Sequence, residues 1–496
     1  MDDVDALVIG SGFGGLGAAL QLAESGQKVV VCEAMDYPGG CGGTFTRDGV
    51  RREAGATLAM GLDEGDIFAD IISDYGLAVE HAPLDPVVEV RDGAHTTSLQ
   101  RHRDGLSGLL RDLGASALAI EVEVVTRALS PLLRRPDLLP PLGLGNLWAH
   151  ARRLPRYAGL VPVVGRSLAQ RLDRYGADTD AFRHWLEPLC WVAVQTGIDN
   201  AEAPLAMAGI DAVLRSTHHV RGGTGGLAWG IVQAIRQAGG MVTFGNRVER
   251  LHRERGAWVA ETRRGPWRAT RVFANVLPQA LPVLTNGEVR VDHLARQIEG
   301  GYGAAMLYLQ IDDRDGLSDH AYHLDLVHDP SQPYHGGNHV SCSVSSAGED
   351  RGSEGRRTIV ASTHLPANAG RLTVERVQRR MATTLSLRAP ELWETHEASS
   401  TASPRTFARF SARDRGYVGG IPRLRGPMTY RDLWMRPPAR GLHMVGDSVL
   451  LGQSMLSAFI SGARIAGAAV GSTVRLRPRV RHEAPWEASV SSSRAR

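Results

Sequence analysis

The chain has 496 residues, 43% of them hydrophobic and 22% charged, so it can bury a large core and is expected to fold as two interleaved domains. Its net charge of +3 is too small to favour a polyanion, and no nucleic-acid partner is predicted. The four cysteines (Cys32, Cys41, Cys190 and Cys342) are widely spaced, which predicts neither disulfides nor a metal site. No signal peptide and no apolar run of ~18–20 residues is found, so a cytoplasmic protein is expected.

The N-terminal residues predict a strand, a glycine-rich turn and a helix. Residues 6–9 form an apolar run that is typical of a buried parallel strand. Gly10 allows a tight turn, Gly12 lets the backbone approach a pyrophosphate, and Gly15 lets the next helix pack closely on the strand. Apolar spacing predicts that helix over residues 14–25, and its N-terminus would donate N–H groups to phosphates. The pattern is that of a dinucleotide-binding unit.

The next predicted strand ends in a carboxylate. Residues 29–32 are apolar, and Glu33 follows them at the place where a carboxylate can accept hydrogen bonds from ribose hydroxyls. The loop over residues 34–45 contains Pro-Gly-Gly-Cys-Gly-Gly, which suggests backbone pressed against a flat or phosphorylated ligand. A flexible loop without a ligand is the alternative.

Residues 86–214 have a different character. Two short strands and two long helices are predicted there, over 87–90, 96–99, 104–130 and 179–214. Between the helices, residues 130–175 are rich in Pro, Leu and Arg. Within residues 152–174, six arginines (Arg152, Arg153, Arg156, Arg166, Arg171 and Arg174) accompany one acid, Asp173, among interleaved apolar residues. This mixture suits either a segment on the surface of an anionic membrane or a solvated helical cap.

The second half of the chain predicts further elements and a second glycine-rich motif. The elements are helices over 227–237 and 373–388, strands over 241–244, 246–251, 304–311 and 357–363, and a hairpin over 257–276. Near the C-terminus, Gly446-Asp447-Ser448 and Gly452-Gln453-Ser454-Met455 precede an apolar helix. Together with the N-terminal motif, this segment predicts one bound FAD and therefore redox chemistry. Residues 473–496 predict a disordered basic tail.

With the motifs in this order, the chain resembles the FAD-dependent phytoene desaturase and carotenoid isomerase family, which also includes retinol saturases. The resemblance rests on Pro38-Gly39-Gly40 with Thr44-Phe45, on the loop over 222–226, and on Gly446-Asp447-Ser448. Desaturases of this family often have Arg after the Gly-Gly pair. Here Cys41 stands at that position, which favours the isomerase, saturase or later-acting branches.

The resemblance implies an α/β fold of the glutathione-reductase-like, amine-oxidase and phytoene-desaturase type. A Rossmann-type FAD-binding domain would be interleaved with an α+β substrate domain. We expect residues 1–85, 215–290 and 405–472 in the FAD-binding domain, and residues 86–214 and 291–404 in the substrate domain.

The resemblance also implies a set of FAD-binding residues. Glycines of the first turn and Glu33 would bind the ADP half, and the backbone of Val248 would contact the adenine. Asp447 would bind the ribityl chain or lie near the pyrophosphate. The last helix would direct its N-terminal N–H groups at the N1–C2=O edge of the flavin, where reduced flavin is negative. The set comprises Gly10, Gly12, Phe13, Gly14, Gly15, Glu33, Ala34, Gly40, Cys41, Thr44, Val248, Gly446, Asp447, Ser454 and Met455.

The predicted reaction is desaturation of a large apolar polyene or isoprenoid, carotenoid-like, by hydride transfer to the flavin. Oxygen or a quinone would then accept the electrons. Redox-neutral cis–trans isomerisation and double-bond saturation are alternatives, and so is a prenyl-lipid escort protein with a vestigial FAD fold. No second dinucleotide motif is found, and the only lysine, Lys28, precedes the second strand, so amine oxidation lacks its usual residue. No catalytic base is assigned; Glu53, His218 and His219 fit structural roles as well.

Overall fold

A computed structural model describes residues 2–140, 144–314, 316–434, 436–449 and 451–474. The predicted disordered tail lies outside the described residues from residue 475 onward. The strands are β1 (Asp2–Ile9), β2 (Val29–Cys32), β3 (Thr44–Arg47), β4 (Val50–Glu53), β5 (His81–Pro83), β6 (Val88–Arg91), β7 (Thr96–Leu99), β8 (His218–Val220), β9 (Met241–Thr243), β10 (Val248–Glu254), β11 (Ala257–Thr262), β12 (Trp267–Ala274), β13 (Tyr302–Asp312), β14 (Tyr322–Val327), β15 (His339–Val344), β16 (Arg356–Pro366), β17 (Glu397–Ala402), β18 (Tyr417–Val418) and β19 (Leu442–Met444).

The helices are α1 (Phe13–Glu24), α2 (Ile67–Tyr75), α3 (Gly105–Asp112), α4 (Ser116–Arg134), α5 (Leu144–Ala151), α6 (Leu154–Ala158), α7 (Leu168–Arg174), α8 (Asp180–Val194), α9 (Ala203–Ser216), α10 (Gly225–Gln237), α11 (Ala280–Leu284), α12 (Asp292–Glu299), α13 (Arg371–Arg388), α14 (Pro390–Trp393), α15 (Pro404–Phe410) and α16 (Met455–Ala469). Short 3-10 segments cover Gly40–Gly42, Pro136–Leu138, Asp414–Gly416 and Pro427–Trp434.

The first sheet has the order β10-β11-β12-β1-β2-β9, and β19 pairs with β12. Its centre is parallel, because β1 pairs with both β2 and β12, and β19 runs parallel to β12. Strand β2 is buried along its whole length, as expected for a parallel strand covered on both faces. Helices α1, α10 and α16 cover one face, and α11 and α12 cover the other. The predicted Rossmann-type arrangement is confirmed.

The second sheet has the order β17-β13-β16-β15-β14-β6-β7, and β18 pairs with β13. Alternate residues of β13 to β16 pack against α13 and form a continuous apolar core. The opposite face of the same strands looks toward the first domain. This sheet therefore forms one wall of the space between the two layers.

Two predicted long helices are each interrupted in the structure. The helix predicted over 104–130 divides into α3 and α4 at Gly114, which has φ +81. The helix predicted over 179–214 divides into α8 and α9, because Gln195 takes a left-handed conformation with φ +61 and the chain stays irregular until Glu202. Both predictions of one continuous helix were wrong, since a left-handed residue ends an α-helix.

The segment over 130–175 contains short helices instead of one surface helix. Arg171 is buried and forms an ion pair with Glu121, so it does not belong to the exposed cationic face that the sequence predicted. Val163 and Leu168 are also buried in the helical core. The remainder of the segment is exposed over much of residues 147–166.

Candidate active site

One large cavity connects the predicted motifs. It has a volume of about 1180 Å³ and begins beside Glu33 and Val248. It passes the glycine turn at Gly10–Gly14, reaches Ser454 and Met455, and continues into an apolar chamber. The predicted site residues that line it are Gly10, Gly12, Phe13, Gly14, Glu33, Ala34, Gly40, Cys41, Val248, Asp447, Ser454 and Met455.

The two ends of the chain meet at this cavity because α1 and α16 pack backbone against backbone. A Cβ atom on Gly14 would lie 2.4 Å from the Cα of Gly446, and one on Gly462 would lie 1.8 Å from the carbonyl oxygen of Gly14. A Cβ on Gly17 would lie 2.1 Å from the carbonyl oxygen of Phe459. Only glycine permits such an approach, so these positions explain why both motifs are glycine-rich.

Three predicted site residues do not line the cavity. Gly15 is a packing residue, since its Cβ would lie 2.0 Å from the carbonyl oxygen of Gly10. Gly446 has φ +103, and a Cβ atom there would lie 2.4 Å from Oδ1 of Asn275, so the absence of a side chain leaves room for Asn275. The hydroxyl of Thr44 accepts a hydrogen bond from the N–H of Gly225 at 2.9 Å. Thr44 therefore contacts the loop before α10, and its predicted role in FAD binding stays a prediction.

The N-terminus of α1 offers N–H groups to the cavity. Gly12 is its N-cap residue and has no side-chain cap hydrogen bond, so the first turn keeps donors without a side-chain acceptor. The Asn275 side chain lies beside this turn, within 2.6 Å of the place where a Gly12 Cβ would stand. Asn275 was not among the predicted site residues.

Glu33 is held rigidly at the end of β2. Its Oε2 accepts from the N–H of Ser11 at 2.6 Å and from the Ser11 hydroxyl at 2.7 Å, while Oε1 accepts from the N–H of Met35 at 2.8 Å. A carboxylate has room for about four such bonds, so acceptor capacity remains on the cavity side. This arrangement fits the predicted contact with ribose hydroxyls.

Asp447 has a partner that the sequence did not reveal. Nη2 of Arg413 donates to Oδ2 of Asp447 at 2.6 Å, and both residues line the cavity. Cys41 lies in the same cluster: burial raises the pKa of its thiol, although the charge of Arg413 opposes this effect. Burial would lower the pKa of Arg413, but Asp447 and Cys41 raise it. The guanidinium is therefore a fixed positive charge at the middle of the cavity.

The N-terminus of α16 faces the same space. Ser454 is the N-cap residue, and its hydroxyl accepts from the N–H of Ser457 at 3.0 Å. Its φ of +88 is uncommon for a residue with a side chain. Strain of this kind persists where the surrounding structure fixes it, often at a functional site.

Other candidates from the sequence lie elsewhere. Glu53 is buried in an ion pair with Arg351. His219 Nε2 lies 2.8 Å from Glu349, and His218 Nδ1 lies 3.1 Å from the carbonyl oxygen of Ser216. None of Glu53, His218 and His219 lines the large cavity. They have structural partners and are not candidates for a catalytic base.

Asp92, His95 and His184 lie close enough together to hold a metal ion. The carboxylate of Asp92 is already engaged: Oδ2 lies 2.6 Å from Nδ1 of His184, and Oδ1 accepts from the N–H groups of Ala94 and His95. This network accounts for the cluster without a metal.

The inner part of the cavity is an apolar chamber between the two layers. Helix α9 contributes Leu205 and Val213, the second sheet contributes Met306, and residues 129–140 contribute a group of leucines. Apolar walls of this kind bind an apolar ligand and exclude water.

The residues present fit FAD. A glycine turn, an uncapped helix N-terminus, the carboxylate of Glu33 and a second helix N-terminus follow one another along one cavity. Those are the groups that a pyrophosphate, a ribose and a reduced flavin require.

Comparisons with known proteins agree with this geometry. Residues 8–75 match the family model described as NAD(P)-binding Rossmann-like domain. The chain is 42% identical over 98 residues to a phytoene desaturase (neurosporene-forming) of Cereibacter sphaeroides, covering 19% of each chain. It is 26% identical over 255 residues to the all-trans-retinol 13,14-reductase of Homo sapiens, covering 49% of this chain and 41% of that one.

A solved oxidoreductase from Methanosarcina mazei superimposes with a TM-score of 0.64 at 17% identity, covering 93% of this chain and 99% of that one. The curated relatives are matched over less than half of their length. The predicted fold and the predicted resemblance are confirmed. In the part of the chain that the structure describes, no helix has the length and apolar character to cross a membrane.

Proposed function

We propose that this protein is an FAD-dependent oxidoreductase that desaturates a long apolar isoprenoid of the carotenoid type. The observation that supports the proposal is the single cavity that joins the nucleotide-binding motifs to an apolar chamber. A dehydrogenase for small polar substrates would need no such chamber. Similarity to a phytoene desaturase and to a retinol reductase supports the same substrate class.

In this proposal different residues of the chain bind different parts of the cofactor. Glu33 would bind the ribose, and the first turn of α1 would bind the pyrophosphate. Arg413 and Asp447 would lie beside the ribityl chain or the flavin, and the N-terminus of α16 would stabilise negative charge on the flavin. When bound, FAD would supply the acceptor for a hydride from the substrate.

The apolar chamber would hold the chain of the substrate and keep water away from the reacting carbon atoms. Oxygen or a quinone would reoxidise the cofactor. Isomerisation or saturation of a double bond would use the same cavity and is the second candidate, because Cys41 stands where desaturases of this kind often have Arg. An escort role is disfavoured, since an escort has no need of a complete nucleotide cavity.

We further propose that residues 147–164 lie on a membrane surface and admit the substrate. Trp148 is 74% exposed and Val161 is 76% exposed, and exposed arginines lie between them. The large cavity reaches His150 and Tyr157 in this same segment. Exposed apolar residues among cations are typical of a surface that binds anionic lipid.

Three measurements test these proposals. The purified protein should carry FAD, and its expression in cells that make coloured polyenes should change the conjugation seen by chromatography. A colourless protein indifferent to FAD would exclude the enzyme and favour the escort. For the membrane, Trp148→Ser with Val161→Ser should reduce flotation with anionic vesicles. Leu372→Ser is the matched control, because Leu372 is 74% exposed on α13. Equal flotation of all variants would refute the membrane surface.

A further inference from the structure

The second sheet forms one wall of the cavity. This wall is apolar at β13 and becomes polar at the neighbouring strands β16, β15 and β14. Met306 of β13 pairs with Ser362 of β16, and Ser362 pairs with Ser341 of β15. His323 of β14 and His364 of β16 also face the cavity. We call His323, Ser341, Ser362 and His364 the polar patch. A cavity for a pure hydrocarbon gives no reason for four polar side chains on one wall.

The buried carboxylate of Asp325 lies behind the polar patch and accepts a hydrogen bond from it. Asp325 is 1% exposed, and its Oδ1 accepts from the Ser341 hydroxyl at 2.6 Å and from His339 Nε2 at 2.9 Å. Burial alone would raise the pKa of Asp325, but His339 and His323 lower it, so the group is ionised. Because an ionised carboxylate only accepts, the Ser341 proton is directed away from the cavity.

One buried polar atom of the patch, Nε2 of His323, has no hydrogen-bond partner among the described residues. His323 is 4% exposed, and its Nδ1 lies 2.8 Å from the hydroxyl of Ser343. Its Nε2 has no hydrogen-bond partner and lies 3.8 Å from Asp325 Oδ1, too far for a hydrogen bond. Buried polar groups normally find partners, so an unpartnered imidazole beside a cavity indicates a ligand atom.

We propose that the polar patch binds a hydroxyl group carried by an otherwise apolar substrate; this inference rests on the proposed function and specifies its substrate. A hydroxyl both donates and accepts. The Ser343 hydroxyl donates to Thr57, so Nδ1 of His323 donates to Ser343 and Nε2 of the neutral ring is an acceptor. A substrate hydroxyl can donate to Nε2 of His323 or to the Ser341 oxygen, whose own proton is used by Asp325, and accept from Ser362. The combination of fixed acceptors and a neighbouring donor matches an alcohol better than a ketone, which only accepts.

The electrostatics of the wall disfavour a carboxylic acid in the same place. Burial, together with the charges of His339 and His335, lowers the pKa of His364 to about 3, so His364 is neutral near pH 7. The negative charge of Asp325 lies behind the patch. A substrate carboxylate would meet a buried like charge without a compensating cation on this wall.

The patch would also determine which bond reacts. Met306 packs in one cluster with Cys41, which lies in the glycine loop proposed to contact the flavin. Ser341 is two strands away from Met306, which corresponds to about 10 Å. A hydroxyl anchored at the patch would therefore fix the distance between the alcohol and the reacting carbon atoms.

The test uses the full-length, FAD-loaded protein and compares geranylgeraniol, its methyl ether and the hydrocarbon of the same skeleton. Binding is followed by the change in flavin absorbance. We expect the alcohol to bind at least about tenfold more tightly than either analogue, because unpaired site groups penalise the analogues. Farnesol and geraniol with their hydrocarbons extend the series to shorter chains.

Ser341→Ala and His323→Phe should bring alcohol and hydrocarbon to similar affinity while FAD content stays unchanged. The controls are Ser345→Ala and His335→Phe, which lie on or beside the same sheet but do not line the cavity. Equal affinity for alcohol and hydrocarbon in the unmodified protein, or no binding of any alcohol, would overturn the hydroxyl site. Loss of FAD binding itself would instead overturn the proposed function, so the two failures are distinguishable.

Discussion

Substitution of Gly462 by Ala tests whether the contact between the first and last helices positions the cofactor. The new Cβ would lie 1.8 Å from the carbonyl oxygen of Gly14, 2.8 Å from its carbonyl carbon and 2.9 Å from the N atom of Ala18. All three are backbone atoms of α1, so no side chain can move aside. Helix α16 must move away by more than ~1 Å to restore ordinary contact, as in other overpacked cores.

The cost can be stated from two opposing effects. Overpacking of this kind costs about 1–3 kcal/mol of the free energy of unfolding. Alanine regains about 1 kcal/mol over glycine inside a helix. We therefore expect a net loss of about 0–2 kcal/mol. Because α16 carries Ser454 and Met455 into the cavity, FAD affinity should fall about tenfold, which corresponds to about 1.4 kcal/mol.

The assay combines the midpoint of urea unfolding with the FAD dissociation constant from flavin fluorescence. Gly226→Ala is the matched control, because this helical glycine has only ordinary contacts, 3.7 Å from a Cγ atom of Val220. That variant should keep FAD affinity and should not be destabilised. A Gly462→Ala protein with the unmodified midpoint and affinity would refute the conclusion that this contact positions the site.

Three further predictions concern charge and cofactor. Asp447→Asn should lower FAD occupancy, because it leaves the half-buried guanidinium of Arg413 without its anion; full occupancy after dialysis would contradict the role. Burial alone would raise the pKa of Glu349, but a hydrogen bond to His219 and the charges of His219 and Arg351 lower it to about 2. A pKa below the unfolded value of 4.5 stabilises the fold above that pH and loses this stabilisation as pH falls toward 2. Urea midpoints of the unmodified protein and Glu349→Gln should therefore converge on acidification; parallel curves would oppose the assignment. Finally, removal of FAD should lower stability by about 2.7 kcal/mol relative to a solution at 100 times the dissociation constant, measured by urea unfolding with and without added cofactor; identical midpoints would contradict specific binding to the folded state.

The nucleotide motifs were predictable because the constraint on each residue is local. A strand, a glycine turn and a helix specify Gly10 and Gly12, and the end of the next strand specifies Glu33. The break between α8 and α9 also had a local signal, since Gly197 and Pro204 interrupt the apolar pattern. That signal was outweighed by the apolar residues on either side, and the predicted helix was too long.

The polar elements of the site had no local signal. Arg413 lies among several arginines between residues 405 and 415, and only the tertiary fold selects the one that faces Asp447. The strands around Asp325 and Ser341 alternate polar and apolar residues, a pattern that predicts one face in water. In the structure that polar face lines a cavity, so the same alternation marks a cavity wall and not a face in water.

The glycines of the two motifs fall into two groups that an experiment can separate. Gly14 and Gly462 face backbone atoms of another element, so any Cβ there moves a helix. A Cβ on Gly12 would meet the end of the Asn275 side chain, which can rotate away. Substitution at the first group should therefore lower both stability and FAD affinity. Substitution by Ala at Gly12 should lower FAD affinity alone, because the obstructed space belongs to the ligand and not to the fold.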